Sequence, residues 1–299
     1  MVSPNTLRHY DSNLKPFLAW TAASGVHAFG ELDVSAMRAY RLHVATRERR
    51  HGGRLRPHTV RGSHSALATF MRWADGEGYE VDLRILDLPG TRLPELEAEG
   101  FHMEQLLAIL EACNPGAPHE ALAVRILVGS GLRASELCGL ALTAPDGRSD
   151  VLMDRLPGGA ELRVRWDAGA KGRKSRRVPV TPGLDGAIRR YRDRDRPAVA
   201  HGELLINGRG EPFRRYGVDA MMDRLQRRVG FRVHAHAFRH TFATVATKLG
   251  WSFEHLRTAM GHADYKELQR YVKLATTRDL GARSDWVQFV VADPTLDWT

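Results

Sequence analysis

The stretch HAHAFRHTFAT, residues 234–244, sets His234, His236, Arg239 and His240 in an otherwise apolar run. Three chemistries compete for such a set: a metal site, a solvated helix face, or a grip on a phosphate. His236 and His240 have the i, i+4 spacing of a helical ligand pair. No glutamate adjoins them as in HExxH, and Arg239 between them repels a cation. A solvated face conflicts with Phe238, Phe242 and Val245, which mark this helix as packed against a core. His236 and Arg239, at i, i+3, share one helix face. There a guanidinium offers a planar fork of donors to a phosphate, and an imidazole adds a donor or a base.

Other residues with the same capacity are scattered along the chain. In GSGLRASELCGL, Gly131 ends one helix and Ala134 or Ser135 starts another, so Arg133 lies at the junction. Backbone N–H groups at a helix start favour anions. Glu136, three residues on, can orient that guanidinium, whereas an exposed Arg–Glu pair would do little. Lys171 and Lys174 sit in AKGRKSRRVPV, a Gly-rich basic stretch. His262 follows Gly261 at a helix end, and Tyr271 lies on the amphipathic pattern beyond it. Taken singly, a lysine at a turn is a solvated charge and a helical tyrosine is core or rim.

The elements that must position these groups are mostly helical. Leu7, Tyr10, Leu14, Phe17 and Leu18 recur at helical spacing, as do Val34, Met37, Tyr40 and Val44, then Val60, Leu67, Phe70, Met71 and Ala74. Between the second and third sets, RERRHGGRLRPHT carries Arg47, Arg49, Arg50, Arg54 and Arg56 around Gly52 and Gly53. It reads as a basic loop suited to phosphate contacts or simply to water. Periodicity lapses in DLPGTRLPELEAEG, which reads as a linker. Helices resume with MEQLLAILEAC and HEALAVRILVGSGL. ELRVRW, residues 161–166, then alternates with period two, and RRVPV, residues 176–180, can pair with it around the Gly-rich segment DAGAKGRKS. Further helices follow to YKELQRYVKL. The expected class is mainly α with a small β-sheet, an α+β second domain behind a helical first one. The boundaries predicted are 1–87, a linker at 88–100, a second domain at 101–280 and a tail at 281–299.

Composition narrows the partner. Of 299 residues 43% are hydrophobic, enough for packed cores. Lys plus Arg is 44 against 35 Asp plus Glu, a net charge of +9 that favours a polyanion, nucleic acid before membrane. The first residues lack the pattern of a secretory leader and no apolar run approaches membrane-spanning length, so a cytoplasmic protein with no membrane partner is expected. Cys113 and Cys138 lie in apolar helical patterns and read as buried free thiols, too few for a zinc framework.

In order, GLRASEL, AKGRKSRRVPV, HAFRHTFAT, MGH and RYV resemble the motif series of the tyrosine recombinase (phage integrase) family. The resemblance covers roughly the C-terminal two-thirds, and more loosely the first domain, which looks like the family's core-binding domain, especially at LATFMRWADGEG. It implies that the Tyr271 hydroxyl attacks a DNA phosphodiester to give a 3′-phosphotyrosyl link and a free 5′-hydroxyl. Arg133 and Arg239 would clamp the phosphate, His262 would donate to it, His236 would accept a proton or bind it, and Lys171 would protonate the leaving oxygen. Lys174 is the nearby rival of Lys171. Glu136 and His240 would support, and His234 has no assigned role beyond a contact before the helix. The resemblance also implies duplex DNA as partner, a tetramer in the synaptic complex, room for a directionality factor, and neither metal nor other cofactor. Integration or excision of a mobile element is the role favoured, with RTAMGH and the tail as the reason. A Xer-like resolution recombinase and a non-catalytic DNA-binding protein are the alternatives.

Overall fold

The computed structural model describes residues 4–48, 52–90, 100–156, 159–168 and 175–261. The chain divides into two compact units between Glu97 and Ala98. In the first, α1 (Pro4–Ala23), α2 (Val34–Thr46) and α3 (Pro57–Gly76) follow the three periodic sets. The Asp33 carboxylate caps α2 by accepting from the Ala36 N–H at 2.7 Å, and Pro57 opens α3, where its missing N–H costs nothing. Phe17, Met37, Tyr40, Val44, Val60, Leu67 and Met71 form the core with Ile85. The loop between α2 and α3 turns back on itself through an antiparallel bridge between Glu48 and Arg54, with Gly52 and Gly53 at positive φ of 82° and 73°. Arg47, Arg54 and Arg56 are exposed there, and none forms an ion pair among the described residues. Arg49 and Arg50 lie outside the described residues.

The second unit is built round α5 (Pro118–Ser130), which buries Leu122, Ala123, Val124, Ile126, Leu127 and Val128 and is apolar on nearly every side. Against it pack α9 (Ala235–Lys248) and α7 (Pro182–Arg190), with α4 (Met103–Glu111), α6 (Ala134–Cys138), α8 (Arg215–Val229) and α10 (Phe253–Met260) around them. The start of the unit is tied to α9 through Thr241: its hydroxyl accepts from the Phe101 N–H at 2.7 Å and donates to the Ala237 carbonyl at 2.9 Å. Cys113 and Cys138 are free thiols, the first buried and the second half-buried.

The expected hairpin is present. β2 (Gly159–Val164) and β3 (Arg176–Val180) pair antiparallel, with Leu162 opposite Val178 and Val164 opposite Arg176. A strand the alternation did not predict, β1 (Val151–Leu156), adds to the other edge of β2 in the order β1-β2-β3. Its sequence, VLMDRL, opens with an apolar run and carries charges where alternation would be read, so no period-two signal marks it.

The α5–α6 junction is tightly constrained. Gly131 caps α5 in the left-handed region at φ 63°, and a Cβ there would sit 2.4 Å from the Phe242 ring. Gly25 has a similar φ of 70° but open space around it. Gly25→Ala should therefore cost about 1–2 kcal/mol of left-handed strain. Gly131→Ala should lose about 1–3 kcal/mol more from overpacking. Urea unfolding of the two variants measures the difference, and equal losses would mean that Phe242 yields freely.

Candidate active site

The junction that needs Gly131 also delivers Arg133. Arg133 precedes α6 in extended backbone, φ −73° and ψ 152°, so its side chain leaves the helix at its start. Glu136, one turn inside, reaches back: Oε2 accepts the Arg133 backbone N–H at 2.8 Å, and Oε1 accepts Arg133 Nη1 at 3.0 Å. The same carboxylate takes a second guanidinium from β3. Arg176 Nη1 donates to Oε1 at 2.9 Å and Nη2 to Oε2 at 2.8 Å, a bidentate fork. Arg176 Nε donates to the Ala259 carbonyl at 2.7 Å. The Glu136 side chain is 0% exposed, that of Arg176 8% and that of Arg133 23%.

Arg239 is buried and is anchored entirely differently. Its Nη1 donates to the Gly131 carbonyl at 2.7 Å and its Nη2 to the Met260 carbonyl at 2.6 Å. Both acceptors stand at helix C-termini, where carbonyls lack partners within the helix and carry the negative end of its dipole. One side chain thus fastens the junction behind Arg133 to the last turn of α10. Each terminal nitrogen of a guanidinium carries two N–H groups, so this anchoring occupies one on each.

A cleft of about 660 Å³ runs along these groups, lined by Arg133, Arg239, His236, His234, Arg215 and Arg232 among others. Asp219 and Asp223 also reach it, and Arg215 Nε pairs with Asp219 at 3.0 Å. His236 is exposed in the first turn of α9 and stands edge-to-face with half-buried His240, ring centroids 4.3 Å apart. Both residues line the cleft from α9, with Arg239 buried and His236 exposed. A cleft lined by anchored guanidiniums and an exposed imidazole suits a tetrahedral anion.

The protonation states follow from the surroundings. Burial pushes the Glu136 carboxyl up, but the Arg176 hydrogen bonds and charge, with the Arg133 N–H and charge, outweigh it and hold it below its ordinary value of 4.5. Burial, with Arg232 and His236 nearby, holds His234 down. That suits its role here, because His234 Nδ1 accepts from the Ala237 N–H at 3.1 Å as the cap of α9. No cluster of three His, Cys, Asp or Glu able to hold a metal occurs among the described residues.

The structure therefore brings together Arg133, Glu136, His236 and Arg239, with His240 beside His236. Lys171, Lys174, His262 and Tyr271 lie outside the described residues, as does the 281–299 tail. Among the described residues, no helix is long and apolar enough to cross a membrane. The residue that sequence reasoning missed is Arg176. Its signal was present, since it shares the inward face of β3 with buried Val178 and Val180, and an arginine on such a face requires a buried acceptor.

Residues 99–278 match the model of the phage integrase family. Two curated relatives named tyrosine recombinase XerC are similar over nearly the whole chain. The one from Pelobacter propionicus is 30% identical, covering 93% of this chain and 87% of its own length. The one from Rhodospirillum centenum is 32% identical, covering 90% and 77%. Among solved structures, a lambda integrase dimer bound to a COC′ core site superposes with a TM-score of 0.69 at 16% identity, over 94% of this chain and 91% of that one. XerH bound to palindromic difH gives 0.68 at 18%, over 94% and 80%. The chain belongs to the phage integrase family of tyrosine recombinases, enzymes that break and rejoin DNA strands.

Glu136 makes the cluster pH-sensitive in one direction. A carboxylate held lower in the folded chain than in the unfolded one stabilises fully above its ordinary value, and that contribution fades as pH falls through the folded value. Glu136→Gln should therefore cost about 3–5 kcal/mol at neutral pH by leaving buried cations uncompensated. The deficit should shrink as the solution is acidified below 4.5. Urea titrations across pH check it, and a deficit independent of pH would deny Glu136 its charge.

Proposed function

We propose that this chain is a site-specific recombinase that cuts and rejoins duplex DNA through a 3′-phosphotyrosyl intermediate on Tyr271. The observation that carries the reading is the cleft lined by Arg133, Arg239 and His236, with both guanidiniums anchored by hydrogen bonds. In the reaction, Tyr271 Oη attacks the phosphorus, the bond to the 5′-oxygen breaks, and Lys171 supplies the proton that oxygen takes. The tyrosine proton passes to an acceptor, for which His236 is the candidate. A phenol near pKa ~10 is a weak nucleophile, so charge stabilisation of the pentacoordinate transition state must do much of the work. Arg133, Arg239 and His262 are the groups proposed for it. Lys174 is the alternative to Lys171, and His240 supports His236.

One phosphoester bond forms for each that breaks, so the energy of the cleaved bond is kept in the phosphotyrosyl link. A 5′-hydroxyl from a second duplex can reseal it without nucleotide or metal. The exposed Arg47, Arg54 and Arg56 of the first unit, with Arg49 and Arg50, supply sequence-independent phosphate contacts. Lambda integrase is seen as a tetramer on a Holliday junction, and a tetramer on two duplexes is the assembly proposed here, in the cytoplasm and open to control by a directionality factor. Integration or excision of a mobile element is one role. Resolution by a Xer-like enzyme is the second, and relatives named XerC and XerA over nine-tenths of the chain favour it.

The test is a nicked duplex carrying a site selected from a random DNA library by the protein itself. In chelator, the wild type should form a protein–DNA adduct that survives a denaturing gel, and Tyr271→Phe should form none while binding the same DNA. Arg133→Ala and Arg239→Ala should each lower the rate of adduct formation by about 10²–10³-fold. An adduct retained by Tyr271→Phe would remove the tyrosine from the reaction. Tight, selective binding without any adduct would leave a DNA-binding protein.

A further inference from the structure

Arg133 and Arg176 compete for a single carboxylate, and the geometry shows which of them wins. Arg176 takes both Glu136 oxygens at 2.9 and 2.8 Å, while the Arg133 guanidinium keeps one ion-pair contact at 3.0 Å, on an oxygen that Arg176 already holds. The only other contact of that guanidinium among the described residues is a long one of 3.4 Å from Nη2 to the Gly261 carbonyl. The charges sum to two positive and one negative. We propose that Arg176 is a positioning residue that occupies Glu136 so that the fork of Arg133 stays available to the DNA phosphate. The proposal rests on the phosphate-cleft reading above and deepens it.

Without Arg176, Glu136 would be a buried carboxylate with one cation in reach. Low dielectric strengthens that attraction, and the fork of Arg133 would close on it in the bidentate geometry that carboxylate and phosphate share. The carboxylate would then act as an internal rival of the substrate. Arg176 also contacts the last turn of α10. It donates to the Ala259 carbonyl, and a Cβ on Gly261 would stand 2.9 Å from its Nη1. Gly261, at φ 60°, therefore leaves space for the Arg176 guanidinium as well as adopting the left-handed turn. The hydrogen bonds from Arg176 to Glu136 and to Ala259 link the Arg133 junction to the segment that leads into His262.

Sulfate is the probe, since it is tetrahedral, does not titrate near neutrality and needs no DNA sequence. Its affinity for the full chain is read from thermal melting at constant ionic strength, as the part that Arg133→Ala abolishes. Arg176→Met should weaken sulfate binding by about tenfold, equivalent to ~1.4 kcal/mol. The double variant Arg176→Met/Glu136→Gln should recover most of that loss, because a neutral amide no longer competes with the anion. Arg176→Met alone should also regain affinity on acidification, as Glu136 loses its main partner and takes up a proton, whereas the wild type should not. A purely structural Arg176 would produce neither the recovery nor the acid limb, and their absence overturns the proposal. Should Arg176→Met fail to fold, Arg176→Lys decides. It keeps a positive charge on Glu136 and should bind sulfate nearly as the wild type does, and a loss near tenfold would overturn the charge balance. A wild type with no Arg133-dependent sulfate binding would overturn the cleft reading and this proposal together. Failure to form a DNA adduct with sulfate binding intact would strike only the tyrosine chemistry.

Discussion

The cleft of the second unit depends on the placing of the buried Glu136 carboxylate. Taking a carboxylate out of water costs several kcal/mol, and only good geometry offsets that. Glu136 meets the requirement with two guanidiniums and a backbone N–H, arriving from its own helix start and from β3. The hairpin, the α5–α6 junction and the end of α10 must all reach this point together. The sheet is small because its task is local: it carries Arg176 to the carboxylate and closes the core with Ala160, Leu162, Val164, Val178 and Val180.

Arg239 is held in part by a different kind of acceptor. Two of its hydrogen bonds go to main-chain oxygens at the ends of α5 and α10, which set the negative ends of two helix dipoles beside its positive charge. His236, one turn earlier on α9, faces solvent instead. One helix thus carries a fixed charge and a group able to exchange protons, separated by the angle of three residues.

Much of this was legible in the chain. The i, i+3 spacing of His236 and Arg239 placed both toward one cleft, and Gly131 marked the break that frees Arg133. Alternation in ELRVRW and RRVPV gave the β2–β3 hairpin. The failures have physical causes. β1 is an edge strand whose charges interrupt any period-two pattern. Arg176 is hidden among neighbouring basic residues, and only the strand register separates it from exposed Arg177 beside it. The cap by His234 requires a neutral ring, and neutrality comes from burial that the sequence does not display. The identity of a capping or bridging partner is a tertiary fact, whereas the break at a glycine is a local one.

The anchoring of Arg239 on carbonyls bears on how such a cleft is inherited. A carbonyl oxygen belongs to the peptide unit and persists whatever side chain occupies the position. Substitutions at residue 260 can therefore accumulate without erasing that anchor, so long as the α10 backbone keeps its course. Position 131 is less free, because its conformation and the nearness of Phe242 favour glycine. An anchor made to main-chain oxygens records little of itself in neighbouring residue identities. Lineages that kept the same backbone could thus lose nearly all recognisable kinship in letters while retaining the same grip.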